Sequence, residues 1–159
     1  MTAIRGDARR SGRARQRELL WAGAVRTVSP ATLDCIVRRS LSLPLPVAQA
    51  ALIDVDRTMR AVPAAHRVRG RRRARRGWLE LAKGTAVTHD DEHRLLGVLH
   101  VGRCGRVVPV EVVLAPWSTA RSEVRLQPYR RVELPAHYFA VAHAVLDNLR
   151  DELHRRAFR

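Results

Sequence analysis

His89, Asp90, Asp91 and His93, with His100 and Cys104 a short way on, are side-chain types that ligate zinc. A turn could gather the first four. Their spacing matches none of the paired patterns that set four ligands tetrahedrally around one ion, and no second close pair completes a set. The stretch from His89 to His93 is entirely polar and rich in Asp, so it reads as a solvated acidic turn. No metal is expected.

Glu111 alternates with Val110 and Val112. A carboxyl buried on an apolar strand has a raised pKa and can act as general acid or base. The same carboxylate would equally pair with an arginine on a neighbouring strand, and the sequence leaves both open. His143 falls at the edge of the apolar stripe of a C-terminal helix, either as a ligand contact or as a satisfied boundary histidine. Arg121 and Glu123 read as a same-face or cross-strand pair. Ser118 and Ser122 lack nucleophile-elbow surroundings, and no Gly-x-Ser-x-Gly occurs. Gly102-Arg-Cys-Gly105 lacks the Lys-Ser/Thr step of a phosphate-cradling loop, so no cofactor is expected.

Arg67, Arg69, Arg71, Arg72, Arg73, Arg75 and Arg76 form a basic block bracketed by Gly70 and Gly77. It reads as a solvated loop between a helix and a sheet, or as a contact for a polyanion. The formal net charge is +15, and every Lys or Arg except Lys83 is arginine. So lopsided a ratio points to GC-rich, bacterial codon usage and weakens any inference from charge to nucleic acid. Aromatics at 4% also argue against a surface built to stack bases.

These groups need elements to position them. At 159 residues one domain is the default. Residues 1–17 carry almost no apolar side chains and are expected to be a disordered Arg-rich arm. Residues 18–32 are a lead-in of undecided structure, and residues 33–159 form the domain. No apolar run approaches the ~20 residues needed to cross a bilayer, and no secretory signal is legible, so a cytoplasmic protein is expected. Cys35 and Cys104 read as small buried or half-buried hydrophobes, not a disulfide.

Leu33 to Leu45 alternates as a first strand. A helix follows Pro46 and ends or kinks between Asp54 and Met59, and Pro63 closes the region. Trp78 to Val87, Leu95 to Val101, Val107 to Ala115 and Arg121 to Tyr129 read as further strands, making five. From Pro135 a long amphipathic helix carries Phe139, Ala142, Leu146, Leu149 and Leu153 on one stripe, widened by Val141 and Val145. The fold class is therefore α+β: a curved antiparallel sheet of about five to six strands gripping a C-terminal helix, with short helices after the first strand.

The stretch from Cys35 to Asp54 runs Cys-Ile-Val-Arg-Arg-Ser-Leu-Ser-Leu-Pro-Leu-Pro-Val-Ala-Gln-Ala-Ala-Leu-Ile-Asp. It resembles the opening of the START-like or helix-grip superfamily (SRPBCC), in its polyketide cyclase/dehydrase and lipid-transport branch. Val110 to Ser118 and Arg121 to Leu126 are similar to that family's late strand pair, and His137 to Arg155 to its gripping helix. The resemblance covers about residues 33 to 156 as a pattern of elements, without a diagnostic motif. Five strands stand where the family usually has six or seven, and the basic block occupies the place of an early strand pair.

The resemblance implies an apolar pocket between sheet and helix. Its lining would be Val98, Val112, Val124 and Leu126 from strands, with Phe139, Ala142, His143 and Leu146 from the helix, and Trp117 and Tyr129 at the mouth. A small apolar molecule is then the expected partner, driven in by about 25 cal/mol per Å² of buried apolar surface. The alternative is a basic accessory protein that holds nucleic acid or ribosome through the arm and the Arg block. A third reading is a cyclase or dehydratase using Glu111 or His143.

Overall fold

The computed structural model describes residues 35–68, 71–102, 105–130 and 132–159. The expected Arg-rich arm (1–17), the lead-in (18–32), Arg69 and Cys104 lie outside the described residues.

The chain order is β1 (Val37–Leu41), α1 (Leu45–Thr58), β2 (Ala61–Val68), β3 (Arg71–Leu81), β4 (Val87–His89), β5 (Glu92–Val101), β6 (Arg106–Pro116), β7 (Ser122–Pro128) and α2 (Tyr138–Ala157). All strand pairs are antiparallel. Six strands run β1-β7-β6-β5-β3-β2, and the short β4 pairs off the path with β5. The sheet curls into a half-barrel and α2 packs on it.

The expected α+β class holds, and among the described residues the main path has six strands, within the five to six expected, with the short β4 off it. β2 lies outside the five segments read as strands. The basic block is not a loop: it forms the facing halves of β2 and β3, paired Val68 to Arg71, Arg67 to Arg72 and His66 to Arg73. Pro63 lies inside β2 and does not close a helical region. Backbone hydrogen bonds build this hairpin, so it carries no apolar alternation for a sequence reading to detect. The strand from Trp78 stops at Leu81, and Val87 belongs to a separate strand. Only Asp90 and Asp91 make the acidic turn, with φ of 50° and 61°. Two successive positive φ values match the right-handed twist of a two-residue hairpin, and Asp tolerates them.

Two prolines shape α1. Pro44 precedes it in extended conformation (φ −58°, ψ 149°), and Pro46 sits in its first turn, where no donor is lost. The backbone turns extended again at Met59, so no second short helix follows. Ala48, Ala51, Leu52 and Val55 are its buried face.

α2 begins at Tyr138, three residues after Pro135, and ends with His154, Arg155 and Arg156 at its negative pole. Its buried residues are Tyr138, Val141, Ala142, Ala144, Val145, Leu146, Leu149 and Leu153. They meet the alternate strand positions Leu79, Leu95, Leu99, Val110, Val112, Leu114, Val124 and Leu126 in one core. Each fully buried leucine there contributes about 2 kcal/mol. At Gly77 helix and sheet approach closely: an added Cβ would lie 2.6 Å from Val141 Cγ1 and 2.8 Å from the His100 carbonyl oxygen. Only glycine fits between them. Among the described residues, no helix is long and apolar enough to cross a membrane.

Candidate functional site

Strand parity divides the candidate residues between two faces of the sheet. On the face toward α2, Val112, Val124, Leu126, Ala142 and Leu146 are brought together, each 0% exposed. These five are the part of the expected lining that the fold assembles. Val98, Phe139, His143 and the mouth residue Trp117 lie elsewhere. Val98 pairs with Pro109 and lies opposite Glu80, one position out of phase with the inward Leu99, so it belongs to the outer face. Its segment, Leu95-Leu-Gly-Val-Leu99, is apolar on both faces, which hid the phase. Phe139 is 45% exposed and meets Tyr138 edge-on at 5.1 Å. Trp117 lies exposed in the turn after β6. His143 is on the exposed side of α2.

Tyr138 is the aromatic that α2 buries. Its hydroxyl donates to the Cys35 carbonyl oxygen at 3.1 Å, and burial drives its pKa well above the ordinary tyrosine range. The stripe was expected to begin at Phe139, and the helix buries Tyr138 in its place. Widening toward Val141 and Val145 is the signal that selects Tyr138. Tyr129 is half-buried at the end of β7, where its backbone N–H donates to the Pro109 carbonyl.

Glu111 also lies on the outer face, paired across strands with Leu96 and Gln127. It is 5% exposed. Arg94 Nη1 donates to both its oxygens at 3.3 Å, and Gln127 Nε2 donates at 3.1 Å. Arg94 Nη2 donates to Glu92 Oε2 at 2.6 Å, and Arg125 donates to the other Glu92 oxygen. Arg125 and Arg38 then flank Glu123 at 3.6 and 3.8 Å. Burial would raise the Glu92 carboxyl, but hydrogen bonds and charge from Arg94 and Arg125 hold it below its usual range. This is an ion ladder on the side away from α2, in which Arg125 Nε is buried 3.6 Å from Glu123 without a hydrogen-bond partner. Of the two alternatives for Glu111, the structure shows the pairing with an arginine on a neighbouring strand.

His143 Nδ1 accepts from Arg39 Nη2 at 2.9 Å, while Arg39 Nε donates to Asp147 Oδ1 at 2.6 Å. Desolvation lowers the His143 pKa, the Arg39 charge lowers it further, and Asp147 opposes both. The neutral imidazole is a boundary group tying β1 to α2.

The residues of the zinc-type set scatter. His89 is exposed against Asp90, His93 is buried on the α2 side, and His100 lies on the outer face. Among the described residues no group of three or more His, Cys, Asp or Glu could hold a metal ion. His93 Nδ1 lies 3.1 Å from Thr88 Oγ1. Burial lowers its pKa, and the charge of Asp56 acts against that. Asp56 Oδ1 is buried without a hydrogen-bond partner. Nothing local in the chain marks this charge influence of α1 on β5, because Asp56 reads as an ordinary helix-end residue.

The ribbon is the other feature of note. Gly77 to Leu81 of β3 pair with β5, whereas Arg71 to Ala74 pair only with β2. At the root, Trp78 stacks on His100 with centroids 4.3 Å apart and planes 11° from parallel. His100 Nε2 is 3.0 Å from Glu80 Oε2. Compared with known proteins, the chain matches no family model and no curated sequence.

Proposed function

We propose that the chain is a START-like, helix-grip protein that takes a small apolar molecule between its curled sheet and α2. The observation that carries this reading is the position of α2. It lies across the sheet on an interior built from valine, leucine and alanine. The strand order β1-β7-β6-β5-β3-β2, with α1 after the first strand and α2 after the last, supports it too.

Val112, Val124, Leu126, Ala142 and Leu146 fill their space with one another at 0% exposure. A ligand therefore enters by parting α2 from the sheet. The C-terminal end of α2 is held by Arg156 Nη1, which donates to Asp54 Oδ2 and Thr58 Oγ1, each at 2.5 Å. His154 Nε2 also accepts from the Ser42 N–H. Native mass spectrometry of freshly purified protein, with titration of the apolar dye anilinonaphthalene sulfonate, tests the reading. A discrete adduct released by organic solvent, and saturable dye binding weakened by Ala142→Trp, support it. A bare polypeptide mass with no saturable dye binding overturns it.

A second reading is favoured by the ribbon. A two-stranded β-ribbon carrying Arg67, Arg71, Arg72, Arg73, Arg75 and Arg76 suits a polyanion. Phosphate contacts of this kind fix affinity and not sequence. Replacing these arginines with glutamine should abolish binding and flatten its salt dependence. No binding at low salt by the unaltered protein ends this reading.

A further inference from the structure

We propose that Trp78 and His100 form a base-stacking platform at the root of the ribbon, and that the polyanion held there is a single-stranded nucleic acid. The inference rests on the polyanion reading and goes beyond it by naming the strandedness and the residue that reads it.

Trp78 is 41% exposed on the outer sheet face. Its ring is oriented by near-parallel stacking on His100, whose own ring is fixed by Glu80. Both aromatic residues sit on paired central strands, Trp78 opposite His100 in the β3–β5 register. A ring held this way presents a flat apolar surface at small entropic cost, since its rotamer is already chosen.

Position along the strand supplies the second part. At about 3.3 Å per residue, Arg76 and Arg71 of β3 lie roughly 7 and 23 Å from Trp78. An extended nucleic acid strand spans that range with its phosphates on the ribbon and one base over the indole. Basic grooves beside aromatic rings are how single strands are bound without sequence preference. Duplex cannot use the platform, because its base faces are occupied by their neighbours in the stack. It could use only the ribbon. The low aromatic content of the chain is no obstacle: one ring suffices, and one of the few rings present stands at the foot of the arginine strand.

The test is fluorescence anisotropy of labelled oligo(dT) of about 16 nucleotides, and of a duplex of equal length, with the full chain between about 50 and 200 mM salt. The single strand is expected to bind more tightly than duplex. Trp78→Ala should weaken the single strand about tenfold and leave duplex unchanged, and Trp78→Phe should recover most of the loss. A Trp21→Phe, Trp117→Phe background keeps Trp78 as the only tryptophan. Quenching of its fluorescence by oligo(dT) then reports contact without altering the platform. Unquenched fluorescence at saturation, or equal affinity of Trp78→Ala for oligo(dT), overturns the platform while the ribbon reading stands. Absence of binding to either probe at low salt overturns both.

Discussion

Arg39 of β1 and Asp147 of α2 meet at 2.6 Å, and the same guanidinium reaches the His143 imidazole at 2.9 Å. An edge strand is thereby fastened to the closing helix by one forked side chain. Arg39 and Asp147 are each about one-quarter exposed, 23% and 25%. The pair therefore lies between a surface bridge and a buried one. Arg39→Ala should lower stability by about 1 kcal/mol, read from denaturant unfolding. It also removes the cation that depresses His143. NMR titration should show the His143 pKa rising in the variant. An unmoved pKa would mean that Arg39 does not set the protonation state.

His93 gives a pH dependence of definite sign. It is 6% exposed, and its pKa in the folded chain lies below the ordinary value of 6.5. The unfolded chain therefore takes up the proton more readily. Stability from the neutral ring is present above pH 6.5 and falls as pH drops from there through the folded value. Melting temperature should decline in that window, and His93→Gln should flatten the decline. The lowered Glu92 and Glu152 carboxyls act further down, losing their stabilisation as pH falls below about 4.5. A melting profile flat between pH 7 and 5 would remove the buried-imidazole account.

Gly77→Ala should cost about 1–3 kcal/mol, because its methyl has no room between Val141 and the His100 carbonyl. Val141→Ala in the same chain should recover part of this, the backbone clash remaining. A double-mutant cycle reads the coupling, and strict additivity would place the helix further from the sheet than 2.6 Å allows.

Glu111→Ala should destabilise by about 2 kcal/mol, since Arg94 and Gln127 lose a shared buried acceptor. It should leave dye binding between sheet and α2 unchanged. A loss of dye binding without a loss of stability would return Glu111 to the pocket.

Much of the C-terminal half was legible from spacing. Ser122 to Leu126 alternates buried and half-buried positions, and the α2 stripe repeats over several turns. The β2–β3 hairpin was not, because its distal half pairs outside the main sheet, where backbone bonding alone decides. The placement of Glu111 was hidden for a different reason. Val108 to Leu114 are buried on both sides, so the segment carries no parity signal. Only its register with Gln127 and Leu96 tells which way the carboxylate faces. Asp56 and His93 lie far apart in sequence, and nothing local announces that the charge of one acts on the other.

β3 runs from Arg71 to Leu81 with a break in its register opposite Pro63 to Ala65, outside the main sheet at one end and seated beneath Val141 at the other. Were a polyanion held on the outlying end, its pull would be transmitted along β3 to the residue beneath the helix. Loading the ribbon and filling the interior would then bias one another, and by thermodynamic reciprocity each would change the other's affinity by the same factor.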